Sequence, residues 1–308
     1  MITRRALNTG LGLTAATALM ASAAKAQIAF ADVPKGPWTK SGMVGRAGGQ
    51  LHYAMLGTPR AGQPPVVLLH KLGGWMADWR FVAAILAKDR QVIAFDLPGH
   101  GDSKWLGAPP YIQSLGETAA LLVGAFDELG LSQVDLVGTS LGGCAAVPLA
   151  AFWPERVRKL SLVSSALGGK RTLAEIKTNI DEKQTALYDG AGMPVPNDAQ
   201  ILAKIFGIIH VESISAEGNS SRRQAGRWIQ PSERGVAITD IKGTLARVSA
   251  PTLLLYGDRD HDYTKFREGA EAALKDVRTE YVPQSGAFVM QDNPPATAAI
   301  LKAWLDKA

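Results

Sequence analysis

Cysteine is all but missing. Cys144 is the single one in 308 residues, so the chain can close no internal disulfide and build no cysteine-based metal site. Set in an apolar stretch after Gly143, Cys144 reads as a small core residue. Metal-ligand spacing of His, Asp and Glu does not occur, nor does a dinucleotide-type Gly-x-Gly-x-x-Gly. No metal and no cofactor is therefore expected. The chain also lacks a repeat of about 20–50 residues, which excludes solenoids and arrays. Basic runs interleaved with aromatics are absent, which argues against nucleic-acid binding. Charge of one sign is scarce: 33 basic residues face 28 acidic ones, a formal charge of +5.

Three of those basic residues, Arg4, Arg5 and Lys25, fall in the first 26 positions, which hold no Asp or Glu. The remainder carries 30 basic against 28 acidic residues, near-neutral for a globular domain. The paired arginines, the apolar small-residue stretch from Leu11 to Ala23 and the small-x-small Ala24-Lys25-Ala26 resemble a twin-arginine export signal. Residues 1–26 are expected to be cleaved before Gln27. The stretch is short and rich in Ala, Gly and Thr, so no stable membrane insertion is expected after cleavage. A periplasmic or secreted location follows as an expectation.

What is present is organised around Val134-Asp135-Leu136-Val137-Gly138-Thr139-Ser140-Leu141-Gly142-Gly143. An apolar run ends in Gly-x-Ser-x-Gly, and small residues follow. This predicts a buried strand, a strained turn at Ser140, and a helix packed close behind it. The helix start would aim free N–H groups at whatever Ser140 attacks. Around this unit, Val66–His70, Gln91–Asp96, Val157–Val163, Pro251–Gly257 and Thr279–Pro283 read as strands. Helices are expected over about Trp79–Lys88, Ile112–Leu129, Tyr263–Leu274 and Pro294–Leu305. An antiparallel pair, Met43–Arg46 and Gln50–Leu56, opens the array. The fold class is α/β, with a doubly wound, mostly parallel sheet. Between about 166 and 245 the alternation breaks, and Ile201 to Ile209 shows helical amphipathicity. A helical cap is expected there, with the α/β core formed by 27–165 and 246–308.

The chain resembles the α/β-hydrolase superfamily in four stretches that occur in the family's order. These are the His70 loop, Asp96-Leu97-Pro98-Gly99-His100-Gly101-Asp102-Ser103, the Ser140 elbow, and Pro251 through Asp260. The resemblance implies a Ser–Asp–His triad in that order. Ser140 maps to the nucleophile. Asp260 maps to the acid through Gly257-Asp258-Arg259-Asp260, with Asp258 and Asp262 as ordinary turn carboxylates. The backbone N–H groups of Leu72 and Leu141 map to the oxyanion hole. What it implies in activity is hydrolysis of an ester, thioester, lactone or amide bond on a small, largely apolar substrate.

The resemblance breaks at the base. In Ser285-Gly286-Ala287-Phe288 the histidine position holds Ala287, which accepts no proton. A much reduced hydrolase, a ligand-binding pseudoenzyme of the same fold, and carbon–carbon bond or other non-hydrolytic chemistry are the alternatives. Of the five histidines, His52, His70 and His100 read as structural, while His210 in the cap and His261 beside the acid are the remaining base candidates. Lys71 replaces the family's glycine, which requires a negative φ, and it either brings a cation to the pocket or is solvated. Lys71, Trp75 and His210 are the expected pocket residues, and Trp79, Trp228, Phe206 and Met290 are further apolar candidates. The expected partner is a small-molecule substrate; oligomeric state is not legible.

Overall fold

The computed structural model describes residues 28–307 apart from residue 183. The export segment at 1–26 lies outside the described residues.

The strands are β1 (Lys40–Arg46), β2 (Gly49–Leu56), β3 (Val66–Leu69), β4 (Val92–Phe95), β5 (Lys104–Trp105), β6 (Val134–Thr139), β7 (Val157–Val163), β8 (Thr252–Gly257) and β9 (Val277–Val282). They form one sheet in the order β1-β2-β4-β3-β6-β7-β8-β9, with β5 attached to β2. Pairings from β4 to β9 are parallel, and β1 and β2 are the antiparallel edge. Strands β3 and β4 are apolar throughout because both faces are covered. Alternate residues of β3 go to opposite cores: Val67 and Leu69 to one, Val66 and Leu68 to the other. The same division holds for Ile93 and Phe95 against Val92 and Ala94, as the two-residue period of a strand requires.

Helices α1 (Arg80–Leu86), α2 (Leu115–Glu128) and α3 (Leu141–Phe152) follow β3, β4 and β6. Between β7 and β8 come α4 (Leu173–Ile176), α5 (Ala199–Phe206), α6 (Val211–Ala225), α7 (Ile229–Ile238) and α8 (Ile241–Leu245). The chain closes with α9 (Arg267–Ala273), α10 (Val289–Asp292) and α11 (Pro294–Leu305). Among the described residues no single helix is long and apolar enough to cross a membrane.

Three expected boundaries move for local reasons. Helix α2 starts at Leu115 rather than Ile112. Ser114 Oγ accepts from the Glu117 N–H at 3.1 Å, and the Glu117 carboxylate accepts from the Ser114 N–H at 3.1 Å, a capping box that sets the first turn. Helix α5 stops at Phe206 rather than continuing to Ile209, because Gly207 turns left-handed at φ 67°. A Cβ there would meet the Arg259 carbonyl oxygen at 1.9 Å, so only glycine fits this helix end. The helix expected from Tyr263 divides into a 3-10 turn, Thr264–Phe266, and α9.

Candidate functional site

The elbow forms where the apolar run demanded it. Ser140 has φ 50° and ψ −114°, a conformation that costs an L-residue on the order of 1–3 kcal/mol and persists only where its surroundings impose it. Two contacts impose it: the Ser140 N–H donates to Val163 O at 3.1 Å and the Gly142 N–H to His70 O at 3.0 Å. A Cβ on Gly138 would meet the Gly142 carbonyl carbon at 2.4 Å, and one on Gly142 the Leu69 carbonyl oxygen at 2.5 Å. Both glycines of the motif are therefore needed sterically. The turn sets Ser140 against a cavity of about 150 Å³, whose wall includes Leu72, Gly73, Phe206, Tyr263 and Phe288. Leu141 opens α3, and the first N–H groups of a helix have no acceptor within it.

The partner of Ser140 Oγ is a phenol. Tyr263 Oη lies 3.0 Å away, in the region where an imidazole would be needed. Burial pushes the Tyr263 hydroxyl well above the usual tyrosine range, opposed by the hydrogen bond with Ser140, so it stays protonated at neutral pH. Phe206 stacks on Tyr263 at 6.0 Å and on Phe288 at 5.4 Å between ring centres. Sequence reasoning missed Tyr263, which looked like the first residue of a helix. The available signal was its place three residues after Asp260: Asp260 Oδ1 accepts from the N–H groups of Asp262 and Tyr263 at 3.1 and 2.9 Å.

Asp260 is buried, and its Oδ2 has no hydrogen-bond partner. Burial raises its pKa, partly offset by the Tyr263 N–H, the nearby Ser164 hydroxyl and the Asp262 N–H. Asp258 instead accepts from the Gln284 and Ser285 N–H groups at 2.9 and 3.0 Å, and so ties two loops together. Ala287 is wholly buried, with its N–H donating to Phe206 O at 2.8 Å. The next loop is braced by Asp292, which accepts from the Gly286 N–H at 2.9 Å. The carboxylate, the serine and the alanine thus stand on loops after β8, β6 and β9, at one edge of the sheet.

No histidine approaches Ser140 among the described contacts, and each has another occupation. His70 donates from Nδ1 to Lys71 O at 2.7 Å, and its Nε2 accepts from the Leu97 N–H at 2.9 Å. Burial, reinforced by His100, lowers its pKa to about 3. His100 is likewise lowered by burial, and its Nδ1 faces Pro98 O at 3.0 Å. His52 pairs with Asp96 at 2.8 Å. His261 is exposed.

Four pocket expectations are corrected. His210 does not line the cavity: its side chain is 61% exposed and stands 3.5 Å from Asp292. Trp75 is 1% exposed and packs against Phe30 at 4.3 Å, inside the core. Trp79 and Met290 are core residues too. Lys71 has the required negative φ and does line the cavity, yet it is neither solvated nor free. Its ammonium pairs with Asp78 at 2.7 Å, donates to Gln291 at 3.1 Å and lies 5.1 Å above the Phe288 ring. Cys144 is buried, and its thiol is pushed up to about 12, so it is unreactive at neutral pH.

A parallel sheet with an antiparallel edge, a serine at a strained strand–helix turn and a buried aspartate after a later strand define a class. The α/β-hydrolase-fold family model matches residues 64–205. The dihydrolipoyllysine-residue acetyltransferase component of an acetoin cleaving system from Pseudomonas putida is 38% identical over 136 residues, 44% of this chain and 35% of that protein. A 2-hydroxy-6-oxononadienedioate/2-hydroxy-6-oxononatrienedioate hydrolase from Burkholderia vietnamiensis is 36% identical over 143 residues, 45% of this chain and 48% of that protein. The chain thus spans less than half the length of these curated relatives. The crystal structure of an enol-lactonase from Burkholderia xenovorans superposes with a TM-score of 0.70 at 21% identity, over 86% of this chain and all of that one, a likeness of fold. Residues 64–205 match the α/β-hydrolase-fold family, and the fold as a whole is that of the enol-lactonase.

Proposed function

We propose that the protein is a serine-type hydrolase of an ester-like bond whose triad lacks its imidazole, so that its turnover is slow. The single observation that carries this reading is the strained Ser140 at the start of α3, facing a small cavity. The hydrolase names of relatives such as the Burkholderia enzyme support the coarse class. In this reading Ser140 Oγ attacks the carbonyl carbon and the developing oxyanion is met by the N–H groups of Leu72 and Leu141. Tyr263 orients the hydroxyl but, held protonated by burial, cannot take its proton at neutral pH. Water must do so, because Asp260 has no imidazole to hold. Serine hydrolases without triad members still retain roughly 10³–10⁴-fold over water from binding and the oxyanion hole.

The test is hydrolysis of a 4-nitrophenyl ester. The parent chain should turn it over slowly and above background, and Ser140→Ala should abolish the excess. Equal rates for the two proteins would remove Ser140 as nucleophile. Saturable ligand binding independent of Ser140 would then favour a pseudoenzyme, the reading that Ala287 and the orphaned Asp260 Oδ2 favour.

We further propose, from the paired arginines and Ala24-Lys25-Ala26, that the chain is exported folded to the periplasm or beyond. N-terminal sequencing of the exported protein should read from Gln27, and Arg4→Lys with Arg5→Lys should stop export. Periplasmic protein that keeps Met1 would refute cleavage.

A further inference from the structure

Three arginines are buried, each of them neutralised, and a fourth is half-buried on the cavity wall. Arg80 is forked onto Glu217 at 3.0 and 2.8 Å. Arg90 pairs with Asp135 and Asp306. Arg234 pairs with Asp181 at 2.7 Å. The fourth, Arg222, is different. Its Nε is buried without a hydrogen-bond partner, and among the described residues it forms no ion pair; its electrostatic neighbours are Tyr188 and Glu233. Neither forms an ion pair or hydrogen bond with it. Burial lifts the Tyr188 hydroxyl to about 12, which leaves it neutral. The Glu233 carboxyl, raised by burial and drawn down by Arg222, Arg171 and Arg234, accepts from Gln184 at 2.9 Å.

A desolvated guanidinium without a carboxylate is costly, because a buried charge is tolerated chiefly when it is paired. Arg222 stands on the stripe of α6 that also carries Ile214 and Gly218, four residues apart and so on one face. All three line the Ser140 cavity. Its stem passes over the oxyanion loop at Gly73, where φ is +68° and a Cβ would meet Arg222 Cγ at 2.6 Å. The other cation on the cavity wall, Lys71, is cancelled by Asp78. Asn219, on the same helix, is spent on the backbone of Asn197. Arg222 is thus the cation on the cavity wall that no carboxylate holds in a contact ion pair, and it faces the space beside Ser140.

We infer that Arg222 is the anchor for a carboxylate carried by the substrate, so that the ester-like compounds this protein takes are short half-esters of dicarboxylic acids. This rests on the reading of the Ser140 cavity as the substrate site and deepens it. A guanidinium presents its N–H donors as a planar fork that matches a carboxylate in two parallel bonds. The cavity of about 150 Å³ equals the liquid volume of about five waters, room for a carboxylate and a chain of a few carbons.

The test is binding without turnover, in the full chain carrying Ser140→Ala. The probes are monomethyl glutarate and its uncharged counterpart of matching length, methyl valerate, followed by calorimetry. The glutarate half-ester should bind at least roughly 10-fold more tightly, in line with hydrogen bonds to a charged group, and added salt should erode only that preference. Arg222→Met, which keeps most of the stem, should abolish it, and Arg222→Lys should retain part. Should Arg222→Met fail to fold, the salt titration and Arg222→Lys carry the test. Equal affinity for the two probes, no measurable binding of the half-ester, or a preference that survives Arg222→Met would each overturn the inference. Methyl 4-phosphonobutanoate binding more tightly than the glutarate half-ester would overturn the carboxylate assignment in favour of a phosphoryl group. Because Ser140 is absent, failure of the hydrolase reading leaves this experiment intact, and success here does not rescue that reading.

Discussion

Two buried aspartates, Asp96 after β4 and Asp260 after β8, show what a completed site and an interrupted one look like in the same fold. Asp96 is fully engaged. Its Oδ1 accepts from the Met76 N–H at 2.6 Å, and its Oδ2 accepts from the Asp102 N–H and from His52 at 2.8 Å each. Asp260 has one oxygen satisfied by the turn that follows it and one, Oδ2, with none. Both are buried to a similar degree, so the difference lies in partners rather than solvent. A carboxylate whose every lone pair is used holds a structure together; one left half-used marks the place of a missing donor. In the superfamily that this chain resembles that donor is an imidazole, and the resemblance puts its position at Ala287.

The comparison breaks most visibly if the missing donor is restored. Ala287→His alone meets a crowded space, since Tyr263 already occupies the approach to Ser140 Oγ. The double variant Ala287→His with Tyr263→Ala should therefore raise ester turnover by roughly 10²–10⁴-fold, the usual worth of a positioned base. Its pH profile should rise through about 6.5 as the imidazole loses its proton. Ala287→His by itself should give a smaller gain, and Ser140→Ala should cancel both. A folded double variant no faster than the parent on esters, thioesters and lactones would sink the interrupted-triad reading.

Next in size is the loss of the completed aspartate. Asp96→Ala strips acceptors from three buried donors and should cost about 3–5 kcal/mol in urea unfolding. A loss below about 1 kcal/mol would mean that the two aspartates are not the opposites described here.

Asp260→Asn should behave in the reverse sense. Its native pKa is raised by burial, so between the ordinary carboxylate range and the native value the folded state holds more protons than the unfolded one. Stability of the parent then falls as pH rises through that window. The Asn variant lacks this fall. It should match the parent near pH 3, below both values, and equal or exceed it at pH 7. A variant clearly weaker than the parent at pH 7 only would show that the charge of Asp260 is stabilising after all.

The smallest effect belongs to Tyr263→Phe, which deletes a single hydrogen bond to Ser140 and should cost about 1 kcal/mol of stability. Calorimetric unfolding of the pair checks it.

Much of this was legible because it is local. The apolar strands and the glycines flanking Ser140 follow from side-chain size, period and backbone freedom within a few residues. Asp260 was assigned through the family resemblance of Gly257-Asp258-Arg259-Asp260. The pocket was harder to read. Trp75 and His210 sit beside cavity-forming segments in sequence but point elsewhere, one into the core and the other outward beyond Asp292. Lys71 was placed at the cavity correctly, while its partner Asp78 was not foreseen, and that partner cancels its charge.

The sequence by itself determined the parallel sheet, the strained serine and the lack of a histidine at position 287, because each depends on which residue types stand next to one another. Only the tertiary structure decided that a tyrosine 123 positions away would hold Ser140 Oγ, and that Arg222 would line the same cavity with its Nε unpartnered. Such contacts join loops and helices that meet only when the sheet and its covering helices pack. Their chemistry comes from burial, and burial belongs to the assembled fold rather than to any stretch of chain.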